Sequence, residues 1–383
     1  MIAAEERILA QTESVCPECL ARIPAERVQR GDDVLLRKSC PQHGAFETIV
    51  WRGDPAYTAW ARPKIPAYPR APLTAVEQGC PFDCGLCPDH RQQTCTALLE
   101  VTQRCNLKCP VCFADAGGPA PADPDLDTIA GWFRRLLDSG GPCNVQLSGG
   151  EPTVRDDLPE IATLGRSMGF GFIQVNTNGL RLAADPGYAA RLKAAGVASV
   201  FLQFDGTDDA IYRTLRGAAL MAAKRKAIEH CAQNEIGVVL VPTLVPGVNM
   251  DRVGAIIDFA LAHVPAVRGV HFQPVSYFGR YPAPPEDAQR VTIPDVICAV
   301  ETQTGGRVRR EAFEPPGCEN ALCSFHGNFV VMPDGSLLPW TQHTPKACCG
   351  APEDAAEGAA RTRGFVARQW VAPDAVIPLR AGP

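Results

Sequence analysis

The chain has little of what a membrane protein, a nucleic-acid binder or an exported protein needs. No apolar run reaches the roughly 18 residues of a membrane span. The first residues, Met1-Ile2-Ala3-Ala4-Glu5-Glu6-Arg7, have neither the basic nor the apolar region of a signal peptide. Positive charge is not in excess: 37 Lys and Arg stand against 42 Asp and Glu, a net charge of -5. Nothing there suits a polyanion, which argues against nucleic acid as a main partner. A cytoplasmic, non-transmembrane protein is expected, and in that compartment 17 cysteines are poorly explained by disulfides. At 383 residues the chain exceeds one average domain, so a central domain with appendages is expected.

The cysteines are grouped, and groups point to metals. In Arg104-Cys105-Asn106-Leu107-Lys108-Cys109-Pro110-Val111-Cys112-Phe113 three thiols fit one tight loop around a corner of a cubane. They can hold three irons of a [4Fe-4S] cluster, where a pure electron carrier normally supplies four cysteines. Some three dozen residues later comes Val145-Gln146-Leu147-Ser148-Gly149-Gly150-Glu151-Pro152. Gly149 and Gly150 allow close approach of the backbone to a ligand, and the carboxylate of Glu151 suits an ammonium.

Residues 1–61 read as a small metal lobe. Cys16-Pro17-Glu18-Cys19 and Cys40-Pro41-Gln42-His43 are two knuckles separated by short strands at 22–28 and 34–38. Three sulfurs and one imidazole suit a tetrahedral zinc or a rubredoxin-like mononuclear iron. Residues 62–95 join a proline-rich connector to Cys80, Cys84, Cys87 and Cys95, the ligands for a second, auxiliary cluster or for zinc. A last group, Cys318, Cys323 and the vicinal Cys348-Cys349, reads as an auxiliary cluster region spanning 281–350, or as a redox-active pair. Cys143, Cys231 and Cys298 stand alone and read as small buried apolar residues. Residues 351–383 read as a poorly packed tail.

Between 96 and 280 strand and helix alternate. Apolar runs at 97–101, 144–147, 171–175, 199–204, 237–244 and 270–274 are separated by helical stretches, among them one long helix at 208–233. That is the pattern of parallel βα units, hence an α/β fold. Chemistry in such folds gathers at the C-terminal ends of strands. Asn176 and Asn178 close the third run, Gln203 and Asp205 the fourth, and all four can hydrogen-bond a ligand. Arg216 and Lys224 sit on the long helix and read as solvated.

The cysteine loop with the Gly149-Gly150-Glu151-Pro152 turn resembles the radical S-adenosylmethionine superfamily. The knuckle head, the Cys84-Gly85-Leu86-Cys87-Pro88-Asp89-His90 run and the loop are similar in layout to its branch of archaeal tetraether lipid synthases, earlier described as pterin methyltransferases. The likeness covers residues 14 to 280; beyond it the Cys318 segment departs, which leaves the substrate open. The resemblance implies a partial (βα)6 barrel, a [4Fe-4S] cluster on Cys105, Cys109 and Cys112, and S-adenosylmethionine held near Phe113, Gly149, Gly150, Glu151, Asn176, Asn178, Gln203 and Asp205. It implies an external electron donor such as flavodoxin or ferredoxin. It implies a 5′-deoxyadenosyl radical that takes hydrogen from an unactivated C–H bond of a lipid or small molecule, for carbon–carbon bond formation or methylation. Modification of a peptide or protein is one alternative, and a non-catalytic electron-transfer protein another.

Overall fold

The computed structural model describes residues 6–80, 82–83, 85–281, 283–343 and 352–373. The chain divides into two compact units. One joins residues 1–62, 245–254 and 285–348; the other joins 63–244, 255–284 and 349–383.

In the first unit four strands form an antiparallel meander: β1 (Glu6–Val15), β2 (Arg22–Arg30), β3 (Asp33–Cys40) and β4 (Gly44–Trp51). The two inner strands match the expected pair, and the outer two were not legible from the spacing of apolar residues. On this exposed face Arg30 and Arg37 of the inner strands each pair with both Glu6 and Glu47 of the outer strands, at 2.5–3.3 Å.

The second unit holds a six-stranded parallel sheet in sequential order: β5 (Thr96–Thr102), β6 (Asn144–Gly149), β7 (Ile173–Thr177), β8 (Val197–Gln203), β9 (Gly237–Val241) and β10 (Val267–Val270). The expected α/β partial barrel is therefore present. Helices α1 (Leu126–Gly140), α2 (Leu158–Ser167), α3 (Leu180–Ala184), α4 (Tyr188–Ala194), α5 (Asp209–Arg216), α6 (Met221–Gln233) and α7 (Val253–Ala262) occupy the crossovers. Alternate strand residues such as Val145, Leu147, Ile173, Val175, Leu202 and Leu240 pack in one core with Ile129, Phe133, Ile161 and Phe170 of the helices and their flanks. Each such buried side chain contributes on the order of 2 kcal/mol. Helix α1 starts where Asp125 accepts the Thr128 N–H at 2.8 Å. The single helix expected at 208–233 is two, because Gly217 takes a left-handed φ of 79° and ends α5.

Helix α8 (Ile293–Gln303) belongs to the first unit, where Ile297 is buried with Val34, Trp51 and Trp60. The stretch read as a tail carries α9 (Ala355–Gln369) in the second unit. Just ahead of α9, Glu353–Asp354 pair with Lys64–Ile65 of the proline-rich connector. The Arg363 guanidinium donates to Thr94 O at 3.2 Å and its carbonyl accepts from Asn144 at 3.3 Å, so these residues are packed. No described helix is long and apolar enough to cross a membrane.

Candidate active site and metal centres

The knuckles come together because the β1–β2 turn and the tight β3–β4 turn lie at the same end of the meander. The Cys16 and Cys40 sulfurs stand 3.6 and 3.5 Å from His43 Nδ1, and Cys19 lies 3.9 Å from Cys40. All four ligand atoms lie within 4.8 Å of one another. Bonds of ~2.3 Å at tetrahedral angles put ligand atoms about 3.8 Å apart, so the set has the dimensions of one tetrahedral ion. Backbone N–H donation from Gln42, with the His43 ring assisting, lowers the Cys40 thiol to about 6, toward the thiolate that a metal binds.

The three-cysteine loop leaves the C-terminal end of β5 and is clamped by residues remote in sequence. Gly150 N donates to Thr102 O and Glu151 N to Arg104 O, both at 2.9 Å, which fastens the two-glycine turn to the base of the loop. Gly149 has a φ of +136°, and a Cβ there would stand 2.0 Å from Thr102 O; one on Gly150 would stand 2.4 Å from Arg104 O. The glycines thus admit the loop's own backbone. On the other side Arg280 donates to Cys109 O at 2.8 Å and Ala116 O at 2.7 Å, while Cys112 and Arg280 form a bridge. Gly279 fits under the Cys112 and Phe113 carbonyls where a Cβ would not. Phe113 is half exposed and meets Phe278 edge to face at 6.4 Å. Burial raises the Cys105 thiol to about 11, with the negative charges of Glu151, Cys109 and Cys112 adding to the shift. Burial raises Cys109 too, against the pull of Arg216.

At the strand ends the expected ligand-binding groups are unequally engaged. Glu151 is buried, and its Oε1 accepts from Thr153 N (3.1 Å), Thr153 Oγ1 (2.5 Å) and Thr177 Oγ1 (2.6 Å), while Oε2 accepts from Asn178 N at 2.6 Å. Asn178 Nδ2 donates to Asn106 Oδ1 in the cysteine loop at 2.7 Å. Asn176 Nδ2 reaches Gln146 Oε1 at 3.4 Å, but its Oδ1 is buried with no hydrogen-bond partner among the described residues. Asp205 is fully buried and bidentate to Arg216, at 2.8 Å to Nε and 2.7 Å to the terminal nitrogen, and Gln203 donates to it as well.

Arg216 and Lys224, expected to be solvated, are buried. Arg216 donates to Val111 O at 3.2 Å and Thr243 Oγ1 at 2.8 Å, and its charge faces Cys109. Lys224 donates to Asn178 O at 2.5 Å and Gln203 Oε1 at 2.8 Å, and burial lowers its pKa to about 7. A signal existed: Arg216 falls on the α5 face that carries Tyr212 and Leu215, and Arg216-Gly217 marks a helix end, where the chain turns inward.

Cys87 is buried, Cys95 half-buried and Cys80 exposed; Cys84 lies outside the described residues. The loop before Cys80 is shaped by Asp83, which accepts the N–H groups of Glu77, Gln78 and Gly79 at 2.6–2.8 Å. In the first unit Cys318 is buried and Cys323 exposed, and Cys348 and Cys349 lie outside the described residues. Phe329–Val331 and Leu337–Pro339 form the hairpin expected around Asp334-Gly335. Cys143 and Cys231 are buried as expected; Cys298 is exposed on α8, because it falls on the face turned from Ile297.

Residues 99–260 match the radical SAM superfamily and residues 8–52 the HMPTM N-terminal zinc ribbon domain. Residues 99–260 thus form a radical S-adenosylmethionine domain, the hallmark of a superfamily of enzymes. Within it, the chain is 43% identical over 310 residues to 7,8-dihydro-6-hydroxymethylpterin dimethyltransferase of Methanocaldococcus jannaschii; the match takes in 80% of this chain, which spans 61% of that protein's length. A probable GTP 3′,8-cyclase of Methanothermobacter thermautotrophicus is 34% identical over 124 residues, 32% of this chain and 39% of that one. Among solved structures, Streptococcus suis SuiB bound to precursor peptide SuiA is 14% identical with a TM-score of 0.48, covering 58% of this chain and 48% of that one.

Proposed function

We propose that the chain catalyses a radical carbon–carbon bond formation, of which methylation is the simplest case, on a small heterocyclic molecule of the pterin kind. The observation that carries it is the union of the three-cysteine loop with the two-glycine turn through the Thr102 and Arg104 carbonyls. The donor set fits the groups the superfamily uses: three thiols for a [4Fe-4S] cluster, and the partnerless Asn176 oxygen for a hydroxyl of S-adenosylmethionine. When bound, these two supply a primary carbon radical able to take hydrogen from an unactivated C–H bond.

The chain's own residues do the rest. Cys105, Cys109 and Cys112 hold the cluster; Arg216 sets a positive charge beside Cys109 and is itself held by Asp205. Gly149 and Gly150 bring the backbone close to the cluster loop, and Glu151, Asn178 and Gln203 line the cofactor side with Phe113. Because Glu151 and Asp205 are already spent on the protein, they act chiefly by orienting Asn178, Thr177 and Arg216. The ribbon site takes zinc as a staple for a lobe with little core of its own. Cys80, Cys84, Cys87 and Cys95 hold an auxiliary cluster, and an external flavodoxin or ferredoxin delivers electrons. The pterin class is supported by the 43% identical relative.

The test is anaerobic reconstitution with iron and sulfide counting, then 5′-deoxyadenosine measured after dithionite reduction. Formation of 5′-deoxyadenosine, lost in Cys112→Ala, is expected. A cluster-loaded protein that binds S-adenosylmethionine and never cleaves it overturns the reading.

A further inference from the structure

The inner face of the sheet carries two rows of side chains. In the lower row Leu98, Gln146, Gln174, Ser199 and Gly237 are in register across β5 to β9. One step toward the C-terminal ends, Glu100 pairs with Ser148, and Asn176 with Phe201 and Val239.

From β6 to β9 the lower row is covered. Gln146 Nε2 donates to Gln174 Oε1 at 2.7 Å and Gln174 Nε2 to Ser199 Oγ at 3.0 Å, so these groups are spent on one another. Gly237 completes the row under the end of α9, where a Cβ would stand 2.0 Å from Trp370 O. The Trp370 ring stacks on Phe201 at 5.8 Å, and His271 covers Phe201 from a further 5.0 Å. Arg268 ties the end of α9 down by donating to Gln369 O at 2.8 Å.

The upper row is the opposite. Glu100 is exposed and, among the described residues, makes no hydrogen bond or ion pair. Leu98, below it on the same strand face, is 47% exposed, so this wall borders open space. Under the reading above the Asn176 oxygen goes to the cofactor, which leaves Glu100 as an acceptor-only group on the same sheet face as Phe201. Three parallel-strand spacings of ~4.8 Å, about 14 Å in all, separate β5 from β8 along the arc, which leaves room for a flat bicyclic ring between the side chains of the two strands.

We propose that Glu100 is the specificity-determining residue for the substrate: it accepts the adjacent N–H groups of an amidine edge on a flat nitrogen heterocycle lying between β5 and the Phe201 column, with Trp370 setting the depth. This rests on the proposed function and adds to it how the ring is read. A carboxylate recognises paired N–H donors bidentately, and an acyl chain offers it none.

The test is equilibrium dialysis of the reconstituted full chain with S-adenosylmethionine, using 6-hydroxymethylpterin and the lumazine analogue in which a carbonyl replaces the 2-amino group. Wild type is expected to prefer the amino compound by about tenfold or more, and Glu100→Gln to shrink that preference to within about twofold, with an unchanged circular dichroism spectrum. Trp370→Ala is expected to admit a 6-substituted pterin with a longer side chain that wild type rejects. A wild type that forms 5′-deoxyadenosine yet shows no preference, or a Glu100→Gln variant that keeps it, overturns this proposal and leaves the radical reading standing. Absence of 5′-deoxyadenosine from loaded wild type sinks the radical reading instead.

Discussion

The ribbon knuckles and the barrel's cysteine loop are both sulfur sites on tight turns, and they are built on different plans. In the ribbon, four ligands from two neighbouring turns converge within 4.8 Å, and all come from 28 consecutive residues, Cys16 to His43. In the loop, three thiols are held by Gly150, Glu151, Asn178, Arg216 and Arg280, residues up to 171 positions away. A self-sufficient site is local; a site that shares its metal with a reactant needs the fold to brace it.

That contrast can be broken by experiment. The largest effect is expected from paired deletions. Cys109→Ala should lose the barrel cluster's absorbance and reduce 5′-deoxyadenosine formation by more than about 10³-fold. Cys16→Ser should release zinc measured by mass spectrometry and leave the barrel cluster's spectrum in place. If Cys16→Ser also bleaches the barrel cluster, the two sites are not independent.

Next comes the buried pair. Arg216→Met strands the Asp205 carboxylate in the core and should cost about 3–5 kcal/mol in chemical denaturation. The double change with Asp205→Leu should recover much of it. A loss below 1 kcal/mol would mean that Asp205 finds water.

Lys224 sharpens the comparison through pH. Its folded pKa of about 7 lies below its ordinary 10.5, so the unfolded chain binds the extra proton between those values. Stability should therefore rise as pH climbs from 7 toward 10, by on the order of 4 kcal/mol in all, and fall to its floor below 7. Lys224→Met should flatten that rise in denaturation midpoints taken at pH 7, 8.5 and 10. An equal slope in the variant would place the titration elsewhere.

The smallest effect belongs to the ribbon surface. The Glu6 carboxylate is held below its usual range by Arg37 first and Arg30 second, yet it is solvated. Glu6→Gln should leave the melting midpoint unchanged within error at 0.5 M salt, because exposed pairs are screened.

The same contrast explains what could be read from residues alone. The ribbon ligands and the βα alternation were legible because each rests on short spacings: two knuckles, and apolar runs of four to eight residues. The outer ribbon strands were hidden because each carries a charge, Glu6 and Glu47, whose partners Arg30 and Arg37 lie on the inner strands. Arg216 and Lys224 were missed since a helix charge is ordinarily solvated, and only tertiary partners such as Asp205 and the Asn178 carbonyl reverse that. Glu151 and the glycines were read as ligand contacts, whereas their visible partners are the chain itself, a long-range fact no local pattern carries.

Trp370 caps the end of α9, 100 residues past Val270, the end of the last barrel strand. During synthesis, then, all six strands and the cysteine loop leave the ribosome before Trp370 does, so the sheet can assemble with its lower row still uncovered.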